Sequence, residues 1–374
     1  MTSSEIGRTF YRGAAACCLL LASLLAATRP QRASSDVASI SASSTTSTTT
    51  ALTAPNPPGP LVQKHADGTF WQYLPHAGLW GSNWVLLDNN PATVDVVTDG
   101  SCACTYQLHS DGTIWQYIPH AGLWGSNWVL LDNNPATVQI AAGPGLFQLH
   151  RDGSIWVFGA TPITGWFLLY SSPGTVAIRT VYSTCSQYCF VPLLVWLHRD
   201  GSIWTNGSVP EGACEQTITG GPMCVLDNNP ATVGIVDDPL GNVYQRHRDG
   251  SIWKYSLSNS SGWQLLDNNP ATVGILADGS PAIYPTRYFL YQLHSDGTIW
   301  QYLPHAGLWG SNWVLLDNNP DAIGIAAGLG NLYQLHRDGT IWHYVTPPIR
   351  GWALLDNNPA TDFITSSSGN TFIP

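Results

Sequence analysis

Apolar and polar residues alternate on both sides of a recurring Asp-Gly pair, as in Leu290-Tyr-Gln-Leu-His294 before it and Thr298-Ile-Trp-Gln-Tyr302 after it. That period belongs to half-buried strands, and the Asp-Gly tip marks a hairpin, because Gly accepts the positive φ of a tight primed turn. Taken as a two-residue turn, Asp296-Gly297 sets Leu293 opposite Trp300 and Tyr291 opposite Tyr302, with the large apolar side chains on one face. His294 then shares the other face with Ile299, Gln292 and Gln301.

The hairpin recurs. A His-x-Asp-Gly tetrapeptide, followed by Ser or Thr, an apolar residue and Trp, begins at His65, His109, His150, His198, His247, His294 and His336, seven copies in all. A second element, Leu-Asp-Asn-Asn-Pro, recurs with its Asp at 88, 132, 227, 267, 317 and 356, and degenerates in the third repeat to Trp166-Phe-Leu-Leu-Tyr-Ser-Ser-Pro173. After each Pro comes a short β-branched stretch such as Thr272-Val-Gly-Ile275, which reads as the innermost strand of the next unit. One unit is therefore four strands.

The first hairpin lacks an inner strand before it, while the last Pro is followed by Ala360-Thr-Asp-Phe-Ile-Thr365 with no hairpin after it. The pattern thus predicts an all-β, seven-bladed β-propeller of four-stranded antiparallel blades, closed by the C-terminal strand completing the first blade, so that no sheet edge is left open as in a linear array. Trp71, Trp115, Trp156, Trp204, Trp253, Trp300 and Trp342 are read as inter-blade core, each worth about 4–6 kcal/mol if fully buried.

Composition adds the setting. Only 10% of the 374 residues are charged, and the net charge of −10 leaves no basic stripe to neutralise phosphates, so nucleic acid is set aside as a partner. Arg8 and Arg12 precede an apolar run from Gly13 to Ala27, so residues 1–27 read as a secretory signal, too short to span a bilayer comfortably; an uncleaved signal anchor is the competing reading, and the only route to a membrane. Residues 28–60 are rich in Ser, Thr, Ala and Pro, an expected disordered tether that is O-glycosylated, leaving 61–374 for the propeller. The expected location is extracellular, with cell-surface attachment as the alternative. Asn206 and Asn259 head N-glycosylation sequons.

Six cysteines follow the signal. Pairing Cys185 with Cys189 and Cys214 with Cys224 would close short loops inside single repeats, whereas no paired CxxC spacing supports zinc. No metal or other cofactor is expected.

Nothing in the chain reads as an active site, and no enzyme activity is expected. His198-Arg199-Asp200 imitates a kinase catalytic loop without its partner motifs, and the Asp-Gly-Thr-Ile-Trp run imitates a sialidase box at a different spacing, without an arginine cluster. Catalysis needs unique perturbed groups, and here nearly every polar group occurs six or seven times. The Asp of Asp-Asn-Asn-Pro is read as capping a turn. For the turn His, a structural hydrogen bond and a ligand contact both stay open. The loop Gln72-Tyr-Leu-Pro-His-Ala-Gly-Leu-Trp-Gly-Ser-Asn-Trp84 is nearly identical from Gln116 and from Gln301. Duplication explains the identity, but His76, Trp80, His120, Trp124, His305 and Trp309, with Asn83 and Trp84, offer the aromatic faces and hydrogen-bonding groups that sugars need.

The Leu-Tyr-Gln-Leu-His-x-Asp-Gly-Thr-Ile-Trp-Gln-Tyr hairpins, the Gly-Trp-x-Leu-Leu-Asp-Asn-Asn-Pro-Ala-Thr-Val segments and the sevenfold count resemble the PLL-like lectins of the Photorhabdus type, and more distantly the tectonin and tachylectin propellers, over residues 61–374. The resemblance implies a multivalent lectin for fucosylated or O-methylated glycans and glycoproteins, with shallow sites between blades formed by the turn His and hairpin Trp of each repeat. The eroded third repeat and the Cys-bracketed fourth depart from that pattern. A non-enzymatic protein-interaction or cell-wall scaffold is the alternative.

Overall fold

The computed structural model describes residues 61–75, 82–99, 104–118, 122, 126–143, 145–159, 165–185, 189–207, 214–216, 222–238, 240–257, 262–278, 289–307, 311–328, 330–345, 351–366 and 371–372. The segments 1–27 and 28–60, together with His76, Trp80, His120, Trp124, Trp309 and Asn259, lie outside the described residues.

Every regular element among the described residues is a strand, and the strands form seven antiparallel sheets. Blades 2 to 7 run in chain order over 93–132, 137–171, 175–227, 232–267, 272–317 and 322–356. Blade 1 takes Leu61–His65, Phe70–Tyr73 and Trp84–Asp88 from the start of the chain and Thr361–Ser366 from its end, which pairs with Leu61–His65 as its innermost strand. The innermost strands touch one another in cyclic order, blade 7 meeting blade 1 and blade 1 meeting blade 2, so the ring is closed.

Two additions exceed the four-strand unit. Thr371–Phe372 pairs with Ile325 and Ala326, inside the innermost strand of blade 7. In blade 4, Cys214–Gln216 adds an outer edge held by the Cys214–Cys224 disulfide. Cys185 and Cys189 face each other across the blade 4 inner hairpin, as the spacing suggests; their side chains lie outside the described residues.

The hairpin register differs from the sequence reading by one residue. Leu293 pairs with Ile299, Gln292 with Trp300, and Tyr291 with Gln301. The cause is the turn: His294 N–H bonds to the Thr298 carbonyl and Gly297 N–H to the His294 carbonyl, so the loop is Ser-Asp-Gly, with Gly297 at φ +84°. This is a type I turn completed by a left-handed glycine, not a two-residue primed turn. Because strand side chains alternate with period two, the shift re-sorts the faces. Leu293 and Ile299, at 1% and 0% exposure, join Tyr291 on the apolar face, where they pack with Ala322, Ile325 and Leu332 of the next blade.

His294, Gln292 and Trp300 occupy the opposite face, and Trp300 is only half-buried, as are its six equivalents. The hairpin Trp is therefore at most the margin of the inter-blade core, as where Trp204 and Trp300 pack against it while remaining half-buried. The core itself belongs to the residue just before the hairpin Trp: Phe70, Ile114, Ile155, Ile203, Ile252, Ile299 and Ile341 are all fully buried. Bridging falls to a different Trp, at the start of the outermost strand. Trp128, Trp263, Trp313 and Trp352 each donate Nε1–H across the gap to a leucine carbonyl of the preceding blade, at 2.9–3.3 Å. Each also meets a Tyr of its own blade, as in the edge contact of Tyr117 with Trp128 at 5.2 Å. Blade 4 lacks this pair. At the Trp position stands Met223, 2% exposed and packed with Phe147 and Ile155 of the preceding blade, while the buried Cys224 of the disulfide packs with Tyr255 of the next blade.

Candidate functional site

The second and fourth strands of a blade run in the same direction, so the His-x-Asp-Gly hairpin and the Asp-Asn-Asn-Pro connection emerge at one end of the propeller, and the connection from third to fourth strand, which includes His305, at the other. At the first end each hairpin is tied to the connection arriving from the previous blade: Ser110 N–H bonds to the Ala92 carbonyl, and the same bond recurs in all seven blades at 2.7–2.9 Å. The connection is capped by its second Asn, whose Oδ1 accepts the amide two residues on, as from Ala271 to Asn269 at 3.0 Å. The Asp does not act through a cap alone: Asp227 Oδ1 accepts the Asn228 amide at 2.9 Å, while Asp88 and Asp227 also bond into the next blade.

The histidines lie in that junction, all buried. Each stacks on the hairpin Trp of its own blade, with ring centroids 5.5–5.9 Å apart from His65–Trp71 through His336–Trp342. The sequence singled out both residues, and the register places them side by side. A Ser or Thr hydroxyl holds the pair. In blade 6, Thr298 Oγ1 donates to Asp296 Oδ1 at 2.7 Å, accepts Trp300 Nε1–H at 3.1 Å, and lies 3.1 Å from His294 Nδ1. The same hydroxyl–His contact is made to His65, His198 and His247.

Where the hydroxyl meets Nδ1, at His65, His198, His247 and His294, this network fixes the tautomer. The hydroxyl has one hydrogen, which the aspartate takes; toward His Nδ1 it can only accept, so Nδ1 carries the proton and Nε2 presents a lone pair. Consistent with that, Nε2 of His65 and His150 meets an asparagine Nδ2 of the incoming connection, Asn358 at 3.2 Å and Asn134 at 3.5 Å. In His109, His198, His247, His294 and His336, Nε2 is buried and has no partner. Burial holds the pKa of His109, His150, His198, His247, His294 and His336 below the ordinary histidine value, against the pull of nearby aspartates.

Three residues complete the site, and the sequence reading did not name them as such. A buried Gln from the second strand and the first Thr of the innermost strand bond to each other, as Thr137 to Gln148 at 2.7 Å, Thr232 to Gln245 at 2.7 Å and Thr361 to Gln63 at 2.8 Å. In blades 2 and 5 the Asp of the incoming connection joins them, Thr93 donating to Asp88 at 2.7 Å and Gln245 Nε2 to Asp227 at 2.8 Å, whereas Oδ2 of Asp132, Asp317 and Asp356 is buried without a partner. Their repetition was visible; what hid them was that the Asp serves the blade after the one it ends. Beside the cluster each hairpin Trp faces an outer-strand residue, which in six blades is an exposed leucine: Leu86, Leu130, Leu168, Leu265, Leu315 and Leu354.

Two sites depart. Before blade 4, Tyr170 replaces the Asp and lies over His198, with centroids 6.0 Å apart and planes 13° from parallel, while the fully buried Trp196 replaces the Gln. Aromatic rings fill that junction. In blade 7, Ala322 replaces the Thr, and Gln334 Oε1 is left buried without a partner.

The opposite face is less defined. His305 is exposed at φ +59°, and its amide bonds to Asn312 Oδ1 at 3.0 Å, a contact that shapes the loop. Trp84, read from sequence as a loop ligand, instead packs edge-on to Tyr73 at 5.3 Å. Half-buried Asn206 accepts the Leu194 amide through Oδ1 at 2.7 Å. No group of three His, Cys, Asp or Glu among the described residues is placed to hold a metal ion.

No protein-family model matches the chain, and no curated protein matches it. Solved structures do. A chain from the crystal structure of Kap60 bound to yeast RCC1 (Prp20) aligns over 85% of this chain and 86% of its own, with a TM-score of 0.50 and 11% identity. Apo AztD from Citrobacter koseri aligns over 82% and 96%, with a TM-score of 0.52 and 11% identity. At such identity the likeness is one of fold: the chain is a β-propeller protein.

Proposed function

We propose that the chain is a secreted, non-enzymatic, multivalent carbohydrate-binding protein whose sites are the junctions between blades. The observation that carries this reading is the repeated pairing of a buried His Nε2 acceptor with a half-exposed Trp and an exposed Leu. A sugar presents both complements, hydroxyl donors on one side and an apolar C–H face on the other. The resemblance to PLL-like lectins points to fucosylated or O-methylated glycans. Single sites of millimolar affinity, about −4 kcal/mol each, gain about a hundredfold or more on a glycan-coated surface that engages several at once. A glycan array tests the reading: binding to fucosylated or O-methylated glycans that free sugar displaces supports it, and no binding by the folded protein rejects it.

A second reading draws on one specific feature. Val94, Val138, Val176 and Val233 are exposed at the start of innermost strands, on the same end as the histidines. Such an arc over blades 2 to 5 suits a polypeptide partner, as in a cell-wall or protein-interaction scaffold. Capture of a partner that free sugar cannot displace would favour it over the lectin reading.

A further inference from the structure

The seventh junction is chemically unlike its sisters. In blade 2 one hydroxyl, Thr93 Oγ1, reaches both Asp88 Oδ2 at 2.7 Å and Gln107 Oε1 at 3.4 Å, so carboxylate and amide oxygen converge on the place of that hydroxyl. In blade 7 the place belongs to Ala322, opposite His336 in the register. Three buried atoms there have no partner: Asp317 Oδ2, Gln334 Oε1 and His336 Nε2. Gln334 and His336 are 2% and 5% exposed, so bulk water does not satisfy them. Among the described residues, an unpartnered Asp Oδ2 or His Nε2 recurs at other junctions, and only here does an unpartnered Gln join both.

Hydrogen-bond arithmetic narrows the occupant. Carboxylate and amide oxygens only accept, and Nε2 accepts when Nδ1 carries the proton, the tautomer set by the hydroxyl–Nδ1 contact at His65, His198, His247 and His294; blade 7 repeats the Asp338, Thr340 and Trp342 part of that frame. A water molecule has two hydrogens to offer three acceptors; a hydroxyl has one. A primary ammonium has three, and its charge suits the aspartates: Asp317 and Asp338 flank His336, and Asp321, which stands where blades 1 to 3 and 5 to 6 have Ala, adds an exposed carboxylate at the entrance. Arg337 on the same turn offsets one of these charges.

We propose that the seventh junction binds a primary ammonium group, held by Asp317, Gln334 and His336 in the space left by Ala322. As a site for an amino sugar it rests on the carbohydrate reading; as a site for an ammonium group it stands alone. The test is calorimetric titration of the full chain with methylammonium, glucosamine and N-acetylglucosamine. Methylammonium should bind one site per chain, and glucosamine more tightly than its acetylated form. Ala322→Thr, which restores the hydroxyl, should weaken methylammonium by about tenfold or more. Thr272→Ala in blade 6 should raise the stoichiometry to two, a gain of function that a folding defect cannot imitate. No methylammonium binding up to about 100 mM, or equal binding by wild type and Ala322→Thr, overturns the proposal. Methylammonium binding together with no binding on the array of fucosylated and O-methylated glycans would instead keep this site and reject the lectin reading.

Discussion

The hydroxyl that joins His, Trp and Asp at each hairpin is the element whose removal has the most readable consequence. Thr298→Val in blade 6 keeps the shape of the side chain and deletes one oxygen. That oxygen serves Asp296 at 2.7 Å, Trp300 Nε1 at 3.1 Å and His294 Nδ1 at 3.1 Å, while the bond from the Thr298 amide to Asp296 at 2.9 Å survives. Asp296 is exposed and half-buried Trp300 can reach solvent, so those two losses are small, together about 1 kcal/mol. His294 is buried, and its Nδ1–H would be left unpaired, at about 1–2 kcal/mol more. The expected cost is about 2–3 kcal/mol, read as a lower urea midpoint at pH 7 with an unchanged slope. Thr298→Ser, which keeps the oxygen, should lose less than about 1 kcal/mol. If Thr298→Val matches wild type, the hydroxyl is not the hub, and the tautomer assigned to His294 loses its basis.

Other consequences follow from the same contacts. In a histidine NMR titration, His109, His150, His198, His247, His294 and His336 should titrate below 6.5, with burial as the main cause. Their lowered folded values mean that the unfolded chain takes up protons first, so stability present above about pH 6.5 is lost as pH falls through those values. Asp95 and Asp237 act in the opposite sense: burial raises them to about 6 and about 7, so Asp237→Asn should stabilise the protein more at pH 8 than at pH 5 in urea melts. Trp128→Phe should cost about 1 kcal/mol more than Trp84→Phe in chemical denaturation, because Trp128 Nε1 bonds across the gap to Leu87 whereas Trp84 Nε1 is buried without a partner. Gly297→Ala should cost about 2 kcal/mol or more by the same assay, since a Cβ at φ +84° would overlap the Asn319 carbonyl.

The sevenfold count, the four-strand unit and the closure by Thr361–Ser366 were legible because each rests on repetition and phase, which a single chain displays. The hairpin register was not. Asp-Gly suits both a two-residue turn and the end of a three-residue one, and the choice depends on whether His294 pairs with Thr298, which the local sequence leaves open. That one-residue difference decided the site, since it moved Trp300 from beside Leu293 to beside His294. The two tryptophan classes were interchanged for a related reason: both are flanked by apolar residues, and only the bulge between Ile299 and Trp300 shows which is turned outward. The filling of the fourth junction by Tyr170 and Trp196 was half visible, as a lost Asp-Asn-Asn in the third repeat, but its consequence falls on the following blade.

Structure determination of the protein soaked with fucose addresses the central claim most directly. Sugar density is expected between the hairpin His–Trp pair of one blade and the incoming connection of the previous one, with a hydroxyl within hydrogen-bond distance of His Nε2 and an empty fourth junction. Sugar bound at the fourth junction as at the others, or at the opposite end alone, or nowhere on a folded propeller, would contradict that claim.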